Sequence, residues 1–235
     1  MNAFFYQADL SQSLGELSAE ESKHCARVLR KKPGDTITLT DGRGTLCQAK
    51  LIQVNPSGCT YQVISNEQIP RPDYRIQLAV SPTKHPDRFE WMVEKCTELG
   101  VDEITPLLCE HTERQSVNHE RLLRICLSAM KQSQRVWLPV ITAPQYFTDY
   151  LHRVNITGQL FIAYVDSSNP DQLVKAALPA KNYALMIGPE GDFTQEELTL
   201  AMAKGALKVS LGGYRLRTET AAVAGCHVLN LINLP

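Results

Sequence analysis

Two glycine-bearing stretches near the C-terminus, Gly188-Pro189-Glu190-Gly191 and Leu211-Gly212-Gly213, each follow an apolar run and precede a helix-like pattern. Neither is a phosphate loop, because the spacing departs from G-x-G-x-x-G and no Gly-Lys-Ser/Thr follows. Glycines at these positions let backbone amides and carbonyls approach a ligand closely. Backbone contacts of that kind suit a purine edge and an amino-acid-like tail. The competing explanation is that the glycines only close tight strand-to-helix turns. The second stretch adds charge, since Arg215, Arg217 and Glu219 flank the turn into the last helix. On residue type alone, Glu219 also suits a helix N-terminus and Arg217 a surface ion pair. A third group lies near the other end of the chain. At about 100° per residue, His24, Arg27, Arg30 and Lys31 share one side of a helix and Cys25, Val28 and Leu29 the other. Four cationic or titratable groups without an interleaved acid suit a track of RNA phosphates; a solvated charged face is the alternative.

The elements that must position these residues change character near residue 70. Before it, Thr36–Thr40 alternates as a half-buried strand, Asp41-Gly42-Arg43-Gly44 reads as a turn, and Leu46–Val54 and Cys59–Ser65 as further strands. One helix interrupts them, opened by a Ser18/Glu21 capping box and running through Arg30. Ile69-Pro70-Arg71-Pro72 reads as a linker. After it, strands and helices alternate. The strands are Ile76–Val80, Ile104–Leu108, Leu160–Val165, Tyr183–Ile187 and Leu207–Leu211. The helices carry Phe89 to Leu99, Leu122 to Ala129 behind an Asn118 cap, a Thr194/Glu197 capping box, and Thr218–Ile232. This alternation predicts an α/β domain with a mostly parallel sheet.

In the last helix, Ala221, Ala222, Val223, Ala224, Cys226, Val228, Leu229, Leu231 and Ile232 leave almost no polar face. A helix apolar all round must be buried all round. The expectation is one side on its own sheet and the other on a second copy, giving a homodimer; the alternative is a terminal helix wholly buried in one subunit. With 43% hydrophobic and 21% charged residues in 235, the chain can build a real core, and a net charge of −1 confines any nucleic-acid contact to local basic patches. No run reaches membrane-spanning length, the N-terminus is not a signal peptide, and seven scattered cysteines without a C-x-x-C pair read as reduced and mostly buried. A cytoplasmic protein without a metal site is expected.

IGPEG followed by F-T-x-x-E, then L-G-x-x-x-L-R-T-E-T-A, resembles the SPOUT methyltransferases. Within them the chain is most similar to the RsmE-type enzymes, which methylate N3 of a uridine in 16S (small-subunit) ribosomal RNA. Residues 84–101, Glu113 to Val117 and Gln132 to Arg135 fall in that family's order, and His24, Val28-Leu29-Arg30 and Gly34-Asp35 resemble its N-terminal module. The resemblance implies a small PUA-like RNA-binding β-barrel domain at 1–70. At 71–235 it implies a SPOUT-type α/β domain with a C-terminal trefoil knot, a topology that chain-threading rules alone exclude. It also implies a homodimer, and S-adenosylmethionine held by Gly188, Pro189, Glu190, Gly191, Leu211, Gly212, Leu216, Arg217 and Thr218. Two departures stand out: Asp192 stands where a glycine is expected, and Gly213-Tyr214-Arg215 replaces a Pro-Arg-Ile-like stretch.

The implied reaction transfers a methyl group from a sulfonium to a nitrogen without a metal. Uracil N3 must lose its proton to become nucleophilic, so a cation at the neighbouring carbonyl oxygens assists, a role that falls to Arg217. Glu219 is the candidate proton acceptor, although proximity to Arg217 makes it a weaker base; Glu190 and a water route stay open. RNA would be gripped by Arg27, Arg30 and Lys31 on the small module and by Lys84, Arg88, Arg114 and Arg135 on the larger one, whether as free 16S rRNA or in an assembled small subunit. Rival readings are a SPOUT enzyme acting on a transfer-RNA base or a ribose hydroxyl, and a non-catalytic ribosome-associated RNA-binding protein.

Overall fold

In the computed structural model, which describes residues 4–154, 157–164 and 171–234, the chain divides into two units. The first runs to Arg71 and takes in Met130–Leu138; the second comprises Pro72–Ala129 and the chain from Pro139.

In the first unit the short alternating segments become β1 (Phe4–Tyr6), β2 (Leu14–Glu16), β3 (Thr36–Thr40), β4 (Thr45–Gln53) and β5 (Thr60–Gln68), with one helix, α1 (Ala19–Lys23), after β2. The strands form a sheet in the order β1-β3-β4-β5-β2, antiparallel except for the β1–β3 pair. Every second residue turns inward, so Phe5, Ile37, Leu39, Cys47, Ala49, Leu51 and Tyr61 meet in one core. Register shifts at Gln48/Ala49 and Leu51/Gln53 curve the β4–β5 pair around it.

Two expectations for the helix are corrected. Ser18 caps it by accepting from the Glu21 N–H at 3.2 Å, but the reciprocal bond of a capping box is not made. Glu21 instead accepts from Lys131 Nζ at 2.6 Å and from the Tyr6 N–H at 3.4 Å, which turns its carboxylate away from Ser18. The helix also does not continue in α form to Arg30. Residues His24–Val28 form a π-turn in which the Leu29 N–H donates to His24 O, and Arg30 leaves it with φ 51°. The wider turn shifts the phase of the side chains. Cys25 is buried, whereas Val28 is 66% and Leu29 39% exposed.

Segment Met130–Leu138 completes this unit through backbone bonds. The Gly44 N–H donates to Val136 O and the Leu138 N–H to Gly42 O, both at 2.9 Å. The Arg71 guanidinium lies 4.0 Å over the Trp137 ring. Gly44 has φ 98°, and a Cβ there would fall 2.2 Å from that ring, so only glycine fits.

In the second unit the chain runs β6 (Ile76–Val80), α2 (Pro86–Leu99), β7 (Glu103–Leu108), α3 (His119–Gln132), β8 (Val140–Ile141), β9 (Gln145–Tyr146), α4 (Phe147–Arg153), β10 (Gly158–Ala163), α5 (Leu173–Ala176), β11 (Asn182–Ile187), α6 (Gln195–Ala203), β12 (Leu207–Val209) and α7 (Thr218–Leu231). The last residues of α3 are those assigned to the first unit. The sheet order is β12-β10-β11-β6-β7-β8, with β9 also beside β7, and every pair is parallel. This is the α/β architecture that the alternation predicts. The expected extension of β10 to Val165 lies outside the described residues, and β12 stops at Val209, before Leu211. Asn118 caps α3 by accepting from the Arg121 N–H at 3.1 Å. All seven cysteines are free and buried.

Helix α7 packs on α2, β6 and β11. A Cβ on Gly225 would lie 2.4 Å from Leu185 Cδ2, so glycine lets the helix lie close on the sheet. Its inner residues Ala221, Ala222, Gly225, Cys226 and Leu229 are buried. Burial all round is not met within the chain, because Thr220 and His227 are exposed and Leu231 is 48% exposed. Val223, Ala224 and Val228 on the outer side are half-buried. No helix among the described residues is long and apolar enough to cross a membrane.

Candidate active site

In a parallel sheet, ligands bind beyond the carboxyl ends of the strands. At the carboxyl ends of β10, β11 and β12 lies a cleft of about 590 Å³, lined by both glycine stretches. That volume falls within the range of small-molecule sites. A buried bond ties the start of the last helix to the first stretch: Thr218 donates from Oγ1 to Gly188 O at 2.9 Å. Ile187, Val209, Leu211, Leu216 and Ala221 give the cleft its apolar wall.

The two stretches use glycine differently. A Cβ on Gly188 would press on Phe193 at 3.1 Å, and one on Gly191 on His111 at 3.0 Å, so these glycines serve the turn itself. Gly212 has φ 145°, and a Cβ on either Gly212 or Gly213 would meet nothing within 4 Å. Asp192 supplies what a glycine would have supplied at its position. Its φ is 63°, a left-handed conformation that aspartate tolerates through local hydrogen bonding. Its N–H closes the turn on Pro189 O at 2.9 Å, and its Oδ1 accepts from the Phe193 N–H at 2.9 Å.

Of the residues that the resemblance assigns to the cofactor, Gly188, Pro189, Glu190, Leu211, Gly212, Leu216, Arg217 and Thr218 line the cleft, and Gly191 does not. Arg217 opens α7 without a side-chain cap and has no ion-pair or hydrogen-bond partner for its guanidinium among the described residues. Glu219 is not among the lining residues; it is 8% exposed, and its carboxylate faces Arg88 Nε at 3.8 Å. Glu190 lines the cleft, with its carboxylate accepting from the Lys84 N–H at 3.2 Å and its carbonyl from Arg215 Nη2 at 3.4 Å. Sequence reasoning missed Tyr164, Ser210 and Tyr214, which also line the cleft; their places next to strand ends and glycines were the available signal.

The cationic residues fall into two groups. In the first unit Arg27 and Arg30 are exposed and Lys31 donates to Thr36 O at 3.4 Å; Arg135, expected on the larger module, belongs instead to the first unit, because Met130–Leu138 pairs there, and is half-buried. In the second, Lys84 pairs with Glu113 at 2.9 Å, whose hydrogen bond pushes the ammonium above its ordinary value, and Arg114 donates from Nε to Ser116 O at 2.9 Å. Burial, then the Glu197 charge, push the Cys109 thiol up, so it stays protonated and is no nucleophile. Among the described residues no three His, Cys, Asp or Glu converge as a metal site.

Parallel sheet, strand-end cleft and two joined turns define a nucleotide-sized site on an α/β enzyme fold. A family model described as an RNA methyltransferase domain matches residues 70–230, and one described as an RNA methyltransferase PUA domain matches residues 17–64. The chain belongs to the RNA methyltransferases, and within them to the family of ribosomal RNA small subunit methyltransferase E. The Synechocystis protein of that name is 34% identical over 92% of this chain and 72% of its own. A crystal structure described as a probable rRNA-methyltransferase from Porphyromonas gingivalis is 37% identical, with a TM-score of 0.91 over 98% of each chain. A Legionella pneumophila protein, described as a methyltransferase in complex with its bound cofactor SAM, is 29% identical, with a TM-score of 0.87 over 99% of this chain and 98% of its own.

Proposed function

We propose that this protein methylates N3 of a uridine in 16S ribosomal RNA, using S-adenosylmethionine, as a cytoplasmic homodimer. The observation that carries this reading is the Thr218–Gly188 bond, which draws two glycine turns together around a cleft lined by a guanidinium that has no partner among the described residues. The residues present fit the cofactor: open space over the main chain at Gly213 lets a ligand approach its hydrogen-bonding groups, and the apolar wall offers a face for a purine. S-adenosylmethionine would supply a methyl group on a sulfonium, which needs no metal to leave. The main chain of Gly188–Glu190 and Leu211–Gly212, with Leu216, Arg217 and Thr218, would hold it.

Arg217 would stand against the carbonyl oxygens flanking N3 and favour the uridylate. Because Glu219 is directed to Arg88 and away from the cleft, we assign it to positioning that arginine. The N3 proton then leaves by Glu190, which lines the cleft, or by water. Arg27, Arg30, Lys31 and Arg135 on the first unit and Lys84, Arg88 and Arg114 on the second would carry RNA phosphates. The sequence of the first unit, which matches a PUA domain, supports that use, and barrel closure of its sheet belongs to this proposal. So does the trefoil knot, which is supported by the path from edge strand β12 back to α7 over central strands β11 and β6. The exposed outer side of α7 supports the dimer.

The decisive test is mass spectrometry of 16S rRNA nucleosides from a strain lacking the gene. Loss of 3-methyluridine, restored by the purified protein with S-adenosylmethionine, is the expected result. An unchanged nucleoside profile overturns the proposal.

A further inference from the structure

Tyr214 is 90% exposed, more than any other large apolar or aromatic side chain among the described residues, of which the next is Val28 at 66%. It also lines the cleft. An aromatic ring left in water beside a site gains nothing for folding. The loop that carries it is nevertheless pinned on both sides. On one, Ser210 Oγ donates to Gly212 O at 2.9 Å and accepts from the Gly212 N–H at 3.3 Å. On the other, Arg215 reaches Glu190 O. A Cβ on either glycine before Tyr214 would meet nothing within 4 Å, and the ring's own exposure leaves little of it covered by the described residues. The ring is thus held out at the cleft that Arg217 also lines.

We infer that Tyr214 is a stacking platform for the RNA base that enters the cleft. A base drawn out of its stack loses the faces of its neighbours, and an aromatic side chain replaces one of them. The π-face accepts any base, so Tyr214 holds the nucleotide at the cleft while Arg217 acts on its oxygens. This inference rests on the RNA-methylating reading above.

The test uses the full-length protein with a 16S rRNA transcript and with purified small subunits. Tyr214→Ala raises KM for RNA about 5- to 150-fold, the range that stacking of one base supports, and lowers kcat less. Tyr214→Phe restores the original KM, because the ring and not the hydroxyl does the work. RNA affinity of Tyr214→Ala falls with salt at the same slope as that of the unaltered protein, since no phosphate contact is lost. Calorimetric affinity for S-adenosylmethionine is unchanged. The inference is overturned by a KM within twofold of the original, by failure of Phe to rescue, or by a loss confined to S-adenosylmethionine, which would place the ring over the cofactor. If the unaltered protein neither binds nor methylates RNA, the functional reading falls, and this inference with it.

Discussion

Helices α6 and α7 both begin beside a glycine turn with a threonine and a glutamate, and they put these residues to opposite use. In α6, Thr194 Oγ1 accepts from the Glu197 N–H at 3.1 Å and Glu197 Oε2 from the Thr194 N–H at 2.8 Å, so the helix closes its own end. Glu197 Oε1 also takes the Glu110 N–H at 2.9 Å. In α7, Thr218 reaches out to Gly188 O, Glu219 reaches out to Arg88, and the helix start has no side-chain cap. The two glutamates are equally buried, at 8% exposure. One is saturated by backbone donors; the other faces a single, long ion pair. A self-contained terminus builds stability, whereas an outward-turned one assembles a site from distant parts of the chain.

That contrast can be broken experimentally. Arg217→Ala, at the start of α7, lowers turnover by about 10²–10³, the cost of removing one oxyanion-stabilising donor, while S-adenosylmethionine still binds. Methyl-transfer assays and calorimetry check this, and unchanged turnover removes Arg217 from the chemistry. Glu197→Ala strands two backbone N–H groups and costs on the order of 3 kcal/mol of unfolding free energy in a urea titration, with turnover per folded molecule preserved. Thr218→Val leaves Gly188 O without its partner, costs about 1–2 kcal/mol and weakens S-adenosylmethionine binding; a stability loss without a binding loss would make the two helix starts equivalent. Glu219→Gln has the smallest effect. With Arg88 partly exposed and 3.8 Å away, it costs less than about 1 kcal/mol and shifts KM for RNA rather than kcat. A kcat loss of about a hundredfold or more would restore Glu219 as proton acceptor.

Much of the α/β architecture was legible because apolar runs such as Tyr183–Ile187 and the capping box at Thr194 are local signals that tertiary packing left intact. The turn at Gly212 was legible too, since glycine is the residue that sits easily at positive φ. Three features were not. Asp192 in a left-handed conformation looks like a departure in a string of letters, because its side chain, not its missing Cβ, solves the geometry. The π-turn at His24–Val28 has no periodicity signature, and it put Val28 and Leu29 in solvent. The Thr218 to Gly188 bond that helps build the site and the Glu219 to Arg88 ion pair beyond it join residues far apart in sequence, and no spacing rule reports which partner a buried hydroxyl or carboxylate will find.

Segment Met130–Leu138 has a practical consequence. The N-terminal module is not a detachable cassette: a fragment cut after Arg71 would lose the strand-like partner of Gly42 and Gly44, the ammonium that holds Glu21, and the indole beneath Arg71. Swapping such a module between relatives requires two splice points, and any exchange that respects only the first would leave raw edges.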